Sequence, residues 1–325
     1  MSDRSGNSIA IACQGGGSHT AFTAGVLHQL LPAIDRSSDT LVGISGTSGG
    51  AFSAVTGWYG SRASGESAPD LLESVWREIA AETPIDQVAN DWIVWGTAIE
   101  SMGVPMPALS PYHHGLTELG KQQLRRTLES HVDFDALPRL ATDDAPDLIV
   151  GSVDITAGEF VTFSNESITV DTVLASAAVP ELFEAVEIDG QYHWDGLLSE
   201  NPPIRDHFHG PLDRKPDELW VVQINPQQYP AEPKSLREIT DRRNELAGNL
   251  SLNQELRFTE RMNDLVAQGH LPDDEYKHTT IRRIQLNGDF KYASKLDRSP
   301  SFIADLFEQG KSRADDFLAA DEPLA

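Results

Sequence analysis

The same plan occurs twice near the start of the chain, as SIAIACQGGGSHTAFTAGVLHQLL at residues 8–31 and as TLVGISGTSGGAFSAVTGWY at residues 40–59. Each stretch begins with an apolar run of strand length, passes through a glycine-rich turn and continues with small and apolar residues at helical spacing. The first helix is expected to stop near Pro32, because proline disrupts a helix interior. Two consecutive strand–turn–helix units predict an α/β fold whose parallel sheet carries helices on both faces.

Further apolar patterns extend this plan along the chain. Strands are predicted at residues 147–153, 158–163 and 219–224, the last of them the final core strand, and a hairpin at 188–194. Helices are predicted at 71–79, 116–132, 171–178 and about 235–269. We expect a single domain over residues 1–310, with a core at about 8–225, the helix 235–269 packed on it and an acidic tail at 311–325.

The chain is strongly acidic. Its 325 residues include 50 Asp and Glu against 25 Lys and Arg, which gives a formal net charge of −25. Such a surface repels polyanions, so the charge excludes nucleic acid as a partner and disfavours an anionic bilayer. The 28 Asp and only 7 Lys are typical of a halophilic protein, whose self-repulsion is screened by salt. An ordinary acidic protein is the alternative.

Membrane and redox signals are sparse. No apolar stretch approaches 18 residues, and the N-terminal run at residues 8–13 is too short for a signal-peptide core. We therefore expect a cytoplasmic protein without a transmembrane segment, peripheral on lipid or polymer granules if its substrate lies there. The single cysteine, Cys13, rules out an intramolecular disulfide and a multi-thiolate metal site.

Residues 46–50, Gly-Thr-Ser-Gly-Gly, place Ser48 in a G-x-S-x-G pattern between a predicted strand and a predicted helix. A nucleophilic serine needs such a sharp turn, with small neighbours, to present its Oγ beyond the sheet edge. The helix behind Ser48 directs free N–H groups, beginning with Gly49, at a developing anion. We interpret Ser48 as a candidate nucleophile, with an ordinary glycine–serine turn as the simpler alternative.

The glycine loop that comes first in the chain follows the first strand. Gly15, Gly16 and Gly17 leave backbone N–H groups unshielded, which suits a phosphate or an oxyanion. A dinucleotide site needs G-x-G-x-x-G, but Thr20 occupies the last glycine position, and neither loop has the Gly-Lys-Ser/Thr of a P-loop. Together with Ser48, the loop is interpreted as an oxyanion hole. A tight turn for close helix packing is the alternative.

A serine nucleophile also needs a base. Asp195, at the end of a predicted strand, is the best-placed acid, and His207 and His209 downstream would complete a triad. The same three side chains and His193 can be drawn as a metal site, although surface positions explain that region more simply. We expect neither a metal nor another cofactor.

Four segments of the chain resemble, in order, the four motifs of patatin-like acyl hydrolases: QGGGSH at residues 14–19, GTSGG at 46–50, ASAAVP at 175–180 and DG at 195–196. The resemblance covers about residues 8–225. It implies a three-layer α/β/α fold with a mostly parallel central sheet and a Ser–Asp dyad without histidine. By this resemblance Ser48 is the nucleophile, Asp195 is the base, and the N–H groups of the Gly15–Gly17 loop bind the oxyanion.

The chain departs from the family pattern at two places. His19 and Thr20 stand where the family usually has Arg or Lys followed by Gly, so a permanent charge near the oxyanion is missing, and His19 is a candidate support there. Leu197 stands where Gly or Ala is usual. An aspartate of ordinary pKa is a weak base for a serine hydroxyl. We therefore expect burial, with Trp194 as the dry neighbour, to raise the pKa of Asp195.

The resemblance implies a serine ester hydrolase that acts on lipid or phospholipid esters. Two alternatives stay open: an intracellular polyhydroxyalkanoate depolymerase with the same dyad, and a non-catalytic protein that binds a lipid or granule surface. The partner is thus a lipid or polyester substrate, at a particle or membrane surface. The apolar segment 92–106 is interpreted as a flap or a surface patch, with a packed helix pair as the alternative, and residues 113–114 as a solvated turn.

Overall fold

The computed structural model describes residues 6–81, 87, 90, 110–113, 116–180, 182–228, 232–288, 290 and 292–320. The predicted flap or patch at 92–106 and His114 lie outside the described residues. Within the described ranges, no helix combines the length and the apolar composition that crossing a bilayer requires.

The described strands are β1 Ser8–Cys13, β2 Thr40–Gly46, β3 Asp147–Asp154, β4 Glu159–Ser164, β5 Val186–Ile188, β6 Gln191–Asp195, β7 Glu218–Gln223 and β8 Thr280–Gln285. They form one sheet of order β5-β6-β3-β2-β1-β7-β8, with β4 paired to β3 beside this path. Neighbours from β3 to β8 in this order are parallel, whereas β4, β5 and β6 pair antiparallel. The mostly parallel sheet predicted from the sequence is confirmed.

The α-helices with described bounds are α1 Ala21–Arg36, α2 Gly49–Arg62, α3 Ala68–Ile79, α4 Leu116–His131, α5 Leu137–Leu140, α6 Val170–Ser176, α7 Leu236–Ala267 and α8 Pro300–Ala319. Successive side chains of a strand point to opposite faces of the sheet. Ile9 and Ile11 of β1 accordingly join a core with α1, α2, α3 and α8, whereas Ala10 and Ala12 join a second core with α7. The sheet therefore lies between two helical layers.

The turn that leads to β6 follows its sequence closely. Asp189 and Gly190 both have positive φ, at 52° and 80°, which allows the two-residue turn between β5 and β6. The predicted hairpin is present, and its second strand ends at Asp195. Because β6 pairs with β3, the hairpin brings Asp195 opposite Ser152.

Helix α1 runs through Pro32 to Arg36, past its predicted end. A proline inside a helix removes one hydrogen bond and costs about 3 kcal/mol. Leu30, Leu31 and Ile34 are buried around it. Their packing keeps the last turn helical despite the proline.

The sheet and its helical cover extend further than the sequence predicts. β8 pairs in parallel with β7, so residues 219–224 are not the final core strand. Two arginines in the sequence TIRRIQ hide its strand pattern, and the Arg282 guanidinium lies 3.8 Å from the centroid of the Phe317 ring. Helix α8 passes residue 310, where the sequence predicts an acidic tail, and Ala314 and Phe317 are buried. Residues 311–319 therefore belong to a packed helix.

Helices α1 and α8 cross in backbone contact. A Cβ added to Gly310 would lie 2.1 Å from the Phe22 carbonyl oxygen, and one added to Gly25 would lie 2.0 Å from the Phe307 carbonyl oxygen. Glycine at both positions makes this approach possible. The crossing fixes the C-terminal helix against the helix that follows the first glycine loop.

We predict that Gly310→Ala lowers the free energy of unfolding by about 1–3 kcal/mol, because the added methyl group forces the two helices apart. Gly120→Ala in α4 is the matched control. A Cβ there would lie 3.7 Å from Phe183, an ordinary contact, so helix propensity should raise stability by up to about 1 kcal/mol. Urea unfolding of both variants measures the effect, and equal midpoints would contradict it.

Candidate active site

Ser48 occupies a strained turn between β2 and α2. Its φ of 57° and ψ of −132° are unusual for a residue with a side chain. A Cβ on Gly50 would lie 2.3 Å from the Cys13 carbonyl oxygen, and one on Gly46 would lie 2.5 Å from the Gly50 carbonyl carbon. The small residues of the G-x-S-x-G pattern are therefore needed for the close passage of the backbone, as the sequence predicts.

The motif at residues 175–180 holds the backbone of both candidate reactive residues. The Ser48 N–H donates to Ser176 Oγ over 2.9 Å, and Ser176 Oγ donates to the Gly151 carbonyl oxygen over 2.6 Å. The Asp195 N–H donates to the Ala178 carbonyl oxygen over 3.0 Å. Ser176 is a functional residue that the sequence does not predict, although its motif is recognisable there. A serine at the end of a short buried helix is the feature of the sequence that could have indicated this role for Ser176.

Asp195 lies at the end of β6 with no exposed surface. One carboxylate oxygen, Oδ1, accepts the Leu197 N–H over 2.8 Å, while Oδ2 has no hydrogen-bond partner among the described residues. Burial raises the pKa of Asp195 to about 7, and the Leu197 N–H and the Ser48 hydroxyl act in the opposite direction. The residues that adjoin Ser48 and Asp195 are in contact, since a Cβ on Gly196 would lie 3.0 Å from Thr47 Cγ2. The structure brings Ser48 and Asp195 together.

The first glycine loop lies against the Ser48 turn. A Cβ on Gly15 would lie 2.4 Å from the Thr47 carbonyl oxygen and 2.7 Å from the Ser48 Cβ. The N–H of Gly15 donates to Asn201 Oδ1 over 2.6 Å, so this predicted oxyanion donor is engaged within the protein. Within the described part of the chain, no group accepts from the N–H of Gly16, Gly17 or Gly49. These three N–H groups therefore have no acceptor within the described chain.

Four buried amide side chains hold the Gly15 loop from behind. The Nδ2 groups of Asn201 and Asn225 each donate to the Gly15 carbonyl oxygen over 3.2 Å. Gln14 Oε1 accepts the N–H groups of Ile224 and Asn225, and Gln14 Nε2 donates to Asn249 Oδ1 over 3.0 Å. None of these roles is visible in the sequence, because the partners are far apart along the chain.

His19 and Trp194, the two predicted supporting residues, lie in surroundings of their own. His19 Nε2 is 2.8 Å from Ser294 Oγ, and its ring packs against Phe290. Burial, helped by the Lys295 charge, lowers the pKa of His19 to about 3, so His19 is neutral and supplies no charge to the loop. Trp194 precedes Asp195 on β6, and strand alternation places its indole on the opposite face. The indole is therefore expected to lie on the other face of β6 from the Asp195 carboxyl.

The other histidines named from the sequence have partners away from Ser48. His207 is bonded to Ser45 Oγ at 2.9 Å, and burial lowers the pKa of His207 to about 4. His193 Nδ1 is 3.0 Å from Ser152 Oγ, and the exposed His209 is paired with Asp206. The described ranges contain no cluster of three His, Cys, Asp or Glu side chains able to hold a metal ion.

We predict that the free energy of unfolding of Asp195→Asn increases relative to that of the unchanged protein as the pH rises. The pKa of Asp195 is about 7 in the fold against 3.8 ordinarily, so between these values the folded protein keeps a proton that the unfolded chain has released. Rising pH through this window therefore costs the unchanged protein stability, in total on the order of 4 kcal/mol. Urea unfolding at pH 4 and pH 8 measures the difference between the two proteins; parallel pH curves would contradict it.

The chain is similar to several proteins of known structure. VipD from Legionella pneumophila is 14% identical, with a TM-score of 0.43 over 97% of this chain and 67% of its own. ExoU in the ExoU–SpcU complex from the type III secretion system of Pseudomonas aeruginosa is 14% identical, with a TM-score of 0.37 over 98% of this chain and 52% of its own. Human GIVD cytosolic phospholipase A2, in complex with methyl gamma-linolenyl fluorophosphonate, is 18% identical, with a TM-score of 0.31 over 50% of this chain and 23% of its own.

No match was found among curated proteins. The family is shown instead by a match of residues 11–207 to the Patatin-like phospholipase family model. The matched residues contain Ser48, Asp195 and both glycine loops, and they make up more than half of the chain. This chain belongs to the patatin-like phospholipase family.

Proposed function

We propose that this protein hydrolyses carboxylic esters of lipids, with Ser48 as the nucleophile and Asp195 as the general base. One arrangement carries the proposal: Ser48 on a strained turn and the fully buried Asp195 are both held by the motif at residues 175–180, and burial raises the pKa of Asp195 to about 7. A base is most effective when its pKa lies near the working pH. Membership of the patatin-like phospholipase family supports a lipid ester as the substrate.

The first half of the reaction would form an acyl-enzyme. Ser48 Oγ attacks the ester carbonyl carbon while the ionised Asp195 takes the hydroxyl proton. The carbonyl oxygen becomes an oxyanion, for which we propose the N–H groups of Gly16, Gly17 and Gly49 as donors. When the tetrahedral intermediate collapses, the bond to the alcohol oxygen breaks and Asp195 returns its proton to the leaving alcohol.

The second half would release the acid. Water attacks the acyl carbonyl carbon, Asp195 again takes a proton, and Ser48 leaves with that proton restored. No histidine takes part, which agrees with the separate partners of His193, His207 and His209. The positive end of α2, which begins at Gly49, favours negative charge at the carbonyl oxygen in both halves.

Ser48→Ala is expected to abolish hydrolysis of a short soluble ester, and Asp195→Asn to lower kcat by about 10²–10⁴-fold, since each removes a group that takes part in proton transfer or bond formation. His209→Ala, at an exposed position, is the matched control and should keep full activity. Activity retained in Asp195→Asn but lost in His207→Ala or His209→Ala would replace the dyad by a histidine mechanism.

The substrate class is tested with the same proteins. Phosphatidylcholine vesicles and polyhydroxyalkanoate granules are compared at low and multimolar salt, with Ser48→Ala as the blank. Release of fatty acid from the vesicles supports the proposal, whereas hydrolysis of the granules alone would transfer the activity to polyesters. A folded sample that hydrolyses nothing and forms no covalent adduct with a fluorophosphonate would be a binding protein.

The pH profile of kcat/KM for the short ester should rise with pH and level off above an apparent pKa near 7. The base must be ionised before it can take the Ser48 proton, and burial raises the pKa of Asp195 to about 7. Initial rates between pH 4 and pH 9 measure the profile. An inflection near pH 4 would mean that the base is an aspartate of ordinary pKa, contrary to this prediction.

A further inference from the structure

Helix α7, residues 236–267, has an inner face that packs beside the candidate site. Leu252 and Leu256 are buried in the core that contains Ala10 and Ala12 of β1. From the same helix, Asn249 accepts a hydrogen bond from Gln14 behind the glycine loop. The inner face of α7 thus contacts the rest of the protein through these three residues.

The outer face of α7 is apolar and exposed. Five large side chains have between 40% and 79% of their surface exposed: Leu236, Ile239, Leu246, Leu250 and Phe258. At 3.6 residues per turn they fall within an arc of about 120°, opposite Leu252 and Leu256. The described chain has nine exposed large apolar residues, and five of them lie on this one arc. Such concentration distinguishes an interaction surface from scattered exposed residues.

The charges of α7 are divided between its faces. Asp241 and Glu245 bind Lys295 over 2.8 and 2.7 Å, and Glu255 binds Arg205 over 2.7 Å, all outside the outer arc. The outer arc instead carries three exposed arginines and one aspartate: Arg243, Arg257, Arg261 and Asp264, the last of them 4.0 Å from Arg261. In a chain with a net charge of −25, this face is both apolar and basic.

We propose that the outer face of α7 docks on a phospholipid surface with zwitterionic headgroups. Leucine, isoleucine and phenylalanine side chains on an amphipathic helix enter the boundary between headgroups and acyl chains. Arginine guanidinium groups bind the headgroup phosphates in a bidentate manner. Because such a surface has no net charge, it does not repel the acidic remainder of the protein. This docking deepens the proposed function, on which its purpose rests, by naming the surface that presents the ester.

The charge pattern disfavours a second copy of the chain as the occupant. Antiparallel pairing of two α7 helices centred on Leu250 would place Arg243 against Arg257 of the second copy. Parallel pairing would place each arginine against its own equivalent. Like charges in such contacts oppose association, whereas phosphates neutralise them.

The test is co-sedimentation of the full chain with phosphatidylcholine vesicles, in the Ser48→Ala background so that lipid is not consumed. We expect Leu250→Glu combined with Phe258→Glu to lower vesicle binding by about tenfold or more, because two apolar anchors become charged. Arg257→Glu should weaken binding as well. Leu119→Glu, equally exposed but on α4, is the matched control and should bind normally.

Three results would overturn the docking surface. They are unchanged binding by the double variant, stronger binding to vesicles containing phosphatidylglycerol at low salt, and a dimer in sedimentation velocity that the double variant abolishes. The same substitutions are also made in the protein that retains Ser48. These variants should hydrolyse a short ester at the normal rate, which would show that they fold. Vesicle binding without any hydrolysis would refute the proposed function alone, and hydrolysis of short esters without vesicle binding would refute the docking alone.

Discussion

The backbone of the first glycine loop lies against the Ser48 turn with no space for a Cβ between them. The approach follows from the parallel pairing of β1 with β2, in which Cys13 stands opposite Gly46 and both strands end together. Gly15 then meets Thr47, and Gly50 meets the Cys13 carbonyl oxygen. A side chain at either glycine would separate the loop from the serine. The other contacts of the site hold the glycine loop in this position beside Ser48.

Buried polar groups hold the glycine loop against the Ser48 turn. Such groups stabilise a fold only when each has a hydrogen-bond partner. The backbone N–H and carbonyl oxygen of Gly15 are both hydrogen-bonded to the Asn201 side chain. The Gln14 side chain accepts the Ile224 N–H and donates to Asn249. Two residues of the site lower the stability of the fold: Ser48 through its strained backbone angles, and Asp195 through burial of an ionisable group. The hydrogen bonds of the surrounding network contribute stability that opposes both costs.

The sequence was sufficient for most features that depend on neighbouring residues, although it placed the end of α1 too early and missed β8. The two strand–turn–helix units, the hairpin before Asp195 and the positions of Ser48 and the glycine loops could be predicted, since glycine spacing and apolar periodicity act over a few residues. The amide network could not be predicted, because Gln14 and Asn249 are 235 residues apart and no pattern links them. Strand β8 was hidden by its arginines, and the engagement of the Gly15 N–H by Asn201 depends on a contact over 186 residues.

The family match ends at residue 207, yet the loop is supported by later residues: Asn225, Asn249 and Ser294. A ribosome makes the chain from its N-terminus, so Ser48 and Asp195 are both present long before Ser294 is added. Through that interval the nascent chain contains the serine and the carboxyl but lacks part of the frame that fixes the glycine loop beside them. Completion of the site is therefore tied to synthesis of the chain as far as Ser294, and a fragment cut at the family boundary would contain the reactive residues without these contacts.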